Sequence, residues 1–199
     1  MLYFEKKLKA KGFGLVIGVD EAGRGPLAGP VVAAAVVLKA GRFSNRIDDS
    51  KKLTPASREK AFLEILKKSS FGIGVINEQV IDRVNIHVAT RLAMEEAVYS
   101  LLDKIRPKKK RMHIIVDGNM PLGPALPNTP IVKGDSRSKS IAAASILAKV
   151  TRDRIMSIYD RVYPQYGFLK HKGYPTRRHR ALIKQFGPSP IHRKSFSCG

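Results

Sequence analysis

The chain has 199 residues, of which 43% are hydrophobic, so it is long and apolar enough to fold as one domain, and intrinsic disorder is excluded. Its 37 lysines and arginines against 16 acidic residues give a net charge of +21. This predicts a nucleic-acid partner, with a basic surface that serves only solubility as the alternative. The longest apolar run, Val31–Leu38, is too short to cross a bilayer, and no signal-peptide pattern is visible, so we expect a cytoplasmic monomer without a membrane partner.

Apolar runs and helical spacing predict nine elements along the chain. Thr54 is the expected N-cap of the first helix, and Pro55 its first residue. Small residues at 142–144 predict a helix that approaches the sheet closely. The order is strand, strand, helix, strand, helix, strand, strand, helix, helix, at residues 14–20, 30–39, 55–68, 71–77, 85–105, 112–117, 130–133, 138–162 and 176–186. This order predicts an α/β fold with a mixed sheet covered by helices, in a single domain 1–199 whose residues 164–199 form a basic C-terminal extension.

The first strand ends on two acids, Asp20 and Glu21, and a glycine-rich turn follows at once. A buried carboxylate without a partner costs several kcal/mol, so this position requires a cation, hydrogen-bond donors or open water. Successive side chains alternate on a strand, so the two acids converge only if the chain curls after Asp20. The alternative is that the pair only marks the end of a strand.

Two further acids occupy positions where a buried carboxylate would also need a partner. Asp117 ends an apolar strand, and neighbouring strands that end in acids would bring their carboxylates into one crevice; taken alone, Asp117 also suits a turn. Asp135 precedes the helix at residues 138–162 and is either a further ligand or that helix's N-cap. Carboxylates without Cys or His at zinc spacing favour Mg²⁺ or Mn²⁺, and two such ions suit phosphodiester hydrolysis.

Six motifs together resemble bacterial ribonuclease HII, collinearly from about residue 16 to residue 187. They are DEAGRG at 20–25, DSKKL at 49–53, VDG at 116–118, KGD at 133–135, AAASILAKV at 142–150 with Arg152 and Asp153, and GYPT at 173–176. The resemblance implies a ribonuclease H-like fold, a five-stranded mixed sheet flanked by helices. It also implies hydrolysis of the RNA strand of RNA/DNA hybrids and incision 5′ of single ribonucleotides in duplex DNA, leaving 3′-hydroxyl and 5′-phosphate ends.

The resemblance also implies residue roles. The metal-binding carboxylates are Asp20, Glu21, Asp117 and Asp135. Gly23, Arg24 and Gly25 read the ribose 2′-hydroxyl through their backbone, and Tyr174 packs on the sugar that follows. Ser50 and Lys52 lie near the phosphates.

Each of these roles has a simpler alternative. The glycine-rich turn would be only a tight turn, Tyr174 a core residue, and Lys51 and Lys52 a solvated face. Asp153 is interpreted as a salt-bridge partner and is the reserve ligand should Asp135 be only a cap.

Other features leave more than one interpretation open. The basic clusters at 108–111 and 177–180 face the duplex or serve solubility. Four prolines between residues 121 and 130 leave the place of the fifth strand open. A non-enzymatic nucleic-acid binder would share the charge but would not need the acids, and a resolvase-like or transposase-like nuclease would share the carboxylate chemistry. Cys198 is the single cysteine and has no internal disulfide partner.

Overall fold

One mixed β-sheet of five strands organises the computed structural model, which describes residues 1–39, 41–107 and 111–196. The strands lie in the order β3-β2-β1-β4-β5. The first three are antiparallel neighbours, whereas β1 is parallel to β4, and β4 is parallel to β5. In chain order they are β1 (Leu15–Ala22), β2 (Val31–Leu38), β3 (Ser69–Ile76), β4 (Met112–Asp117) and β5 (Asn128–Ile131). The predicted mixed sheet is confirmed.

Helices cover both faces of this sheet, as predicted. Side chains alternate along β2, so Ala33 and Ala35 pack under α4, whereas Ala34 and Val36 pack under α2 and α5. Within the described ranges, no helix is both long and apolar enough to cross a membrane. The helices are α1 (Tyr3–Ala10), α2 (Pro55–Lys68), α3 (Glu78–Val84), α4 (Ile86–Ile105), α5 (Lys139–Val162), α6 (Phe168–His171) and α7 (Arg177–Phe186).

Side-chain caps fix where the long helices begin. Thr54 Oγ1 accepts a hydrogen bond from the Ser57 N–H at 3.2 Å, which confirms the predicted cap of α2. Asn85 Oδ1 accepts from the N–H groups of His87 and Val88, so α4 begins one residue later than predicted. Each cap satisfies backbone donors that the first turn of a helix leaves without an acceptor.

The short elements are where the sequence-based predictions were wrong. β5 lies at residues 128–131 and not at 130–133, because Pro130 is tolerated within an edge strand, where its missing N–H breaks no ladder. The helices α1, α3 and α6 were not predicted. α1 depends on a tertiary contact, since Glu5 Oε1 accepts hydrogen bonds from Ser138 Oγ, from the Ser140 N–H and from Ser140 Oγ.

The long helix α5 lies very close to β1, the strand that carries Asp20. At Gly18, an added Cβ would overlap the backbone atoms of Ser140 and Ile141. Ala142, Ala143 and Ala144 are fully buried on the same helix. Small residues on both elements therefore permit this approach, as predicted for residues 142–144, and they place the start of α5 beside the end of β1.

The chain after α5 folds back against the loop that follows β1. Phe168 and Ile191 share a core cluster with Leu27 and Ala28. Beneath the loop that bears Tyr174, His179 Nδ1 lies 2.9 Å from the Tyr174 carbonyl oxygen and His179 Nε2 lies 3.1 Å from His192 Nε2. The basic C-terminal extension is therefore packed against the same end of the sheet as Asp20.

We expect Gly18→Ala to destabilise the protein by about 1 to 3 kcal/mol, because the new methyl group would overlap backbone that cannot move independently of α5. The free energy of unfolding, measured by chemical denaturation, tests this. Gly123→Ala is the matched control, since a Cβ there meets only the flexible carboxylate of Glu95. Equal stability of the two variants would contradict the close packing of α5 on β1.

Candidate active site

Three carboxylates meet at the carboxyl ends of β1 and β4. These strands are parallel neighbours, so Asp20 and Asp117 lie at the same edge of the sheet, as predicted. Asp135 approaches from the short 3-10 helix Gly134–Ser136. One oxygen from each of the three side chains lies within 4.8 Å of the others. This donor set of hard carboxylate oxygens fits a divalent cation such as Mg²⁺ or Mn²⁺.

Backbone donors hold two of these carboxylates in place. The Gly134 N–H donates to Asp117 Oδ1 at 2.7 Å, and the Asp135 N–H reaches the same oxygen at 3.3 Å. The Glu21 N–H donates to Asp20 Oδ1 at 2.7 Å. Asp117 therefore ties the turn that carries Asp135 to the end of β4.

Asp135 does not cap α5. That helix begins at Lys139, and its N-cap is Ser138, whose Oγ accepts from the Ile141 N–H at 3.2 Å. The alternative that Asp135 is only a helix cap is thus wrong. Its side chain is 6% exposed and is committed to the carboxylate group.

Glu21 lies next to the three acids but not among them. The chain does not curl directly after Asp20, which was the condition for the two side chains to converge, because β1 continues to Ala22 and Glu21 pairs with Ala33 in the ladder. Adjacent side chains on a strand leave it toward opposite faces, although the Glu21 and Asp20 carboxyl groups still interact with each other. One Glu21 carboxylate oxygen lies instead 3.5 Å from Arg24 Nη1. Its role as a metal ligand stays a prediction.

Burial and mutual repulsion disfavour the charged forms of these acids. Burial raises the pKa of Asp20 well above its usual range, and the Glu21 and Asp117 carboxylates raise it further. Burial also raises the pKa of Asp135, again with repulsion from Asp117. Burial raises the pKa of Glu21, although the Arg24 guanidinium opposes that shift. A bound cation would stabilise the charged forms, so the site is electrostatically suited to one.

Lys51 lies close enough to these carboxylates for their charge to act on it, although from the sequence it was expected only on a solvated face. Burial alone would lower its pKa, but the carboxylates of Asp20, Asp49, Asp135 and Asp117 outweigh burial and raise it. The position of Lys51 in the DSKKL motif, next to Ser50, was the feature of the sequence that could have indicated this role. Side-chain direction within that motif depends on the 3-10 helix Ser50–Lys52, which the sequence did not reveal.

Ser50 and Lys52 occupy different positions. Ser50 is buried and its Oγ accepts a hydrogen bond from Ser145 Oγ at 3.0 Å. Lys52 is half exposed, with its Nζ 2.8 Å from Ser136 Oγ and 3.7 Å from Asp48 Oδ1. Ser50 lines the same cavity as Glu21, and Lys52 contacts the residue that follows Asp135. Their predicted contacts with phosphate stay predictions.

The turn Gly23–Arg24–Gly25 is fixed from below by two buried arginines. Gly23 has φ of +102°, and a Cβ there would collide with the Arg152 side chain, so only glycine fits. Arg152 donates to the carbonyls of Ala28 and Pro30. Arg193 donates to the carbonyls of Gly23 and Arg24. Side chains distant in sequence therefore hold this turn, which is more than a plain tight turn requires, and Arg193 was not among the predicted site residues.

Tyr174 lies across from this turn. It is 42% exposed, so the core-residue alternative is wrong. A Cβ on Gly25 would sit 3.8 Å from Tyr174 Cε1, which places the ring at van der Waals range of the turn. Both line a cavity of about 190 Å³, together with Glu21, Ser50, Lys51, Ser145 and Lys149.

Asp153 is an ion-pair residue. Lys149 Nζ lies 2.7 Å from its Oδ1, and Arg58 Nη1 lies 3.9 Å from its Oδ2. Within the part of the chain that the structure describes, Asp153 does not join the carboxylate group. The salt-bridge interpretation is confirmed, although the partners are Lys149 and Arg58 and not the adjacent arginines.

The predicted basic clusters are only partly described. Arg177 and Arg178 are exposed at the start of α7, but His179 is buried. In the other cluster, Arg111 stacks on the Phe13 ring at 4.7 Å, and residues 108–110 lie outside the described residues, as does Cys198.

Comparison with known proteins gives one consistent family. The sequence model of ribonuclease HII matches residues 17–198. Ribonuclease HII from Ruminiclostridium cellulolyticum is 55% identical over 197 residues, which cover 98% of this chain and 75% of that protein.

Solved structures agree with the sequence comparison. The crystal structure of ribonuclease H2 from Pyrococcus horikoshii has a TM-score of 0.73 at 28% identity, over 92% of this chain and 94% of that one. Bst ribonuclease HIII, solved in complex with Mn²⁺, has the same fold, with a TM-score of 0.73 at 20% identity over 94% and 68% of the two chains.

The predicted ribonuclease H fold is therefore confirmed, and the interpretations as a non-enzymatic binder or as a resolvase-like nuclease are wrong. Family membership also explains why buried acids and a strongly basic charge occur in one chain. The chain belongs to the ribonuclease HII family, ribonuclease H enzymes that act on RNA/DNA hybrids.

Proposed function

We propose that this enzyme hydrolyses the RNA strand of RNA/DNA hybrids and also cuts duplex DNA on the 5′ side of a single embedded ribonucleotide. The products would carry 3′-hydroxyl and 5′-phosphate ends. The observation that carries the proposal is the position of the carboxylates beside one cavity that Gly23, Arg24, Gly25 and Tyr174 line. A site for phosphodiester chemistry and a site suited to a ribose thus adjoin.

Asp20, Asp117 and Asp135 would hold divalent ions, with Glu21 as the fourth carboxylate. When bound, two Mg²⁺ or Mn²⁺ ions would activate the attacking water and stabilise the leaving oxygen. The chain's own contribution is to hold the carboxylates through the backbone N–H groups of Glu21, Gly134 and Asp135. Lys51 adds a positive charge beside them, where it would also attract a phosphate.

Recognition of the ribose would come from the turn. Among the described residues, no hydrogen bond uses the backbone N–H of Gly23, Arg24 or Gly25 as donor. Glycines let the main chain approach a sugar closely, and the 2′-hydroxyl is the group that distinguishes RNA from DNA. These N–H groups are therefore available to a 2′-hydroxyl, and Tyr174 would pack on the next sugar.

The remaining basic surface would bind the phosphate backbone without regard to sequence. Arg177 and Arg178 on α7 are exposed for this purpose, and Ser50 and Lys52 would lie near the phosphates at the cut. We propose that the enzyme acts as a monomer, with residues 1–199 as one catalytic domain and residues 164–199 as its basic extension.

Asp117→Asn should reduce cleavage in Mg²⁺ at least about 100-fold, because it removes a negative ligand while its amide oxygen still accepts the backbone hydrogen bonds. Cleavage rates and calorimetric Mn²⁺ binding measure the effect, and both should fall while the melting temperature does not. Asp153→Asn is the matched control and should stay within a few-fold of wild type. Similar rates for the two variants would remove Asp117 from the catalytic group.

Tyr174→Ala should slow cutting at a single embedded ribonucleotide about tenfold or more, while affinity for the duplex changes little, because phosphate contacts supply most of the binding. Tyr174→Phe should be milder, since the ring face remains. Rates are compared on a duplex with one ribonucleotide and on a continuous RNA/DNA hybrid. Equal losses on both substrates would show that Tyr174 does not sense the junction.

Binding should weaken steeply with salt, with a log-log slope of about −0.9 for each phosphate neutralised, or roughly −4 to −5 for about five contacts. Arg177→Ala should make this slope shallower by about one if α7 faces the duplex. Titrations of duplex at several salt concentrations, without metal, measure both values. An unchanged slope in the variant would assign the charge of residues 177–180 to solubility.

A further inference from the structure

Arg193 is a fully buried cation beneath the glycine-rich turn. Its side chain is 1% exposed. Its Nη1 donates to the Arg24 carbonyl at 2.9 Å and its Nη2 to the Gly23 carbonyl at 2.6 Å, while Nε and Nη2 reach the Gly29 carbonyl at 3.0 and 2.7 Å. One planar guanidinium thus binds three carbonyls of the segment that follows β1.

The backbone on both sides of Arg193 is held as well. Its own N–H donates to the Leu27 carbonyl at 2.8 Å, and the Gly29 N–H donates to the Ile191 carbonyl at 2.8 Å. On the other side, the Asp82 carboxylate of α3 accepts from the N–H groups of Lys194 and Ser195, both at 2.9 Å. The backbone that carries the guanidinium is therefore held in place on both sides.

These contacts determine which way the turn's N–H groups point. In a trans peptide, the carbonyl of one residue and the N–H of the next lie in one plane and point in opposite directions. Arg193 draws the carbonyls of Gly23 and Arg24 inward, so the N–H groups of Arg24 and Gly25 must face away from it. Arg24 and Gly25 both line the cavity that Tyr174 closes on its other side.

Burying an arginine costs desolvation free energy, which a loop could avoid if neutral groups held it. In the described part of the chain, no carboxylate lies within ion-pair distance of Arg193, and burial, followed by the nearby Arg152, lowers its pKa to about 9. The carbonyls are its direct hydrogen-bond partners, while the more distant carboxylates of Glu78 and Asp82 and the Phe196 ring, 5.0 Å away, also favour the charge. A lysine would carry the same charge but has no planar fork that could bind several carbonyls in fixed directions.

We propose that Arg193 is a positioning residue for ribonucleotide discrimination, and that its guanidinium holds the N–H groups of Arg24 and Gly25 at the 2′-hydroxyl. This inference rests on the proposed function of the turn. Under this proposal, Arg193, which lies about 170 residues further along the chain, sets the direction of the two N–H groups that would distinguish RNA from DNA.

The test compares Arg193→Lys with wild type on two duplexes that differ only in one ribonucleotide. Binding of both duplexes is measured in EDTA, and cleavage in Mg²⁺ is measured in single turnover at saturating enzyme. We expect the cleavage rate to fall about 10- to 100-fold, as for a misplaced binding group. The preference for the ribonucleotide duplex should fall toward one, while affinity for the all-DNA duplex stays within about twofold of wild type.

A merely structural role would give a different result. Partial unfolding would lower the amplitude of single-turnover cleavage and weaken binding to both duplexes equally, without changing the rate or the preference. Arg161→Lys, a charge-conserving change at an exposed position of α5, is the matched control and should match wild type. Asp82→Asn, which loosens the backbone at Lys194 and Ser195 but keeps the guanidinium, should reduce rate and preference about threefold.

Wild-type rate and preference in folded Arg193→Lys would overturn the proposal. If that variant does not fold, Asp82→Asn decides, and wild-type preference there would overturn it too. Failure of the proposed function is distinguishable, because wild-type enzyme itself would then neither prefer nor cut the ribonucleotide duplex.

Discussion

Three carboxylates whose oxygens lie within 4.8 Å of one another repel each other, and the burial of Asp20 and Asp135 removes water that would screen them. The neighbouring parts of the fold reduce this cost. The backbone N–H groups of Glu21, Gly134 and Asp135 donate to Asp20 and Asp117, and Lys51 faces the acids. Because these donors only partly offset the repulsion, the site is electrostatically suited to a divalent cation. Both the parallel pairing of β1 with β4 and the close approach of α5 serve to create this crowding.

Two buried arginines form a second charged group, whose charge is opposite to that of the carboxylates. Arg152 and Arg193 are each about 1% exposed, and backbone carbonyls accept their hydrogen bonds. Arg152 joins the carbonyls of Ala28 and Pro30 to that of Lys172, so it links the segment after β1 to the loop that bears Tyr174. The buried acids lie where a cation could bind them, whereas both buried guanidiniums donate hydrogen bonds to backbone carbonyls. The carboxylates are therefore suited to catalysis, and the arginines are suited to holding the turn and the Tyr174 loop in place.

The sequence predicted features whose cause is local or periodic. Thr54 and Pro55 predict the start of α2, because they are a typical N-cap and first helical residue. The apolar runs before Asp20 and Asp117 predict two core strands. The rest depends on contacts distant in sequence. α1 is short and basic, and the contact between Glu5 and the serines at the start of α5 fixes its place. β5 contains a proline and is recognisable only from its pairing with β4.

The candidate site residues divide in the same way. The grouping of Asp20, Asp117 and Asp135 was predictable because strand ends and an acid next to a glycine are visible in the sequence. Glu21 was expected beside them, but the extra two residues of β1 turn its carboxylate toward Arg24. Lys51 and Arg193 were not predicted, because nothing in the sequence tells which of two adjacent lysines lies nearer the carboxylates, or which carbonyls a distant arginine will bind.

The bonds from Arg193 to Gly23 and Arg24 span 170 and 169 positions of the chain, and this separation has a consequence for biosynthesis. On the ribosome, all five strands emerge before residue 193 does, so the sheet and the three acids have the opportunity to assemble while the turn still lacks its guanidinium. Contacts between residues so far apart are slow to form. A nascent chain would therefore acquire the means to hold metal before it acquires the means to distinguish ribose from deoxyribose, and its selectivity would be the last property to mature.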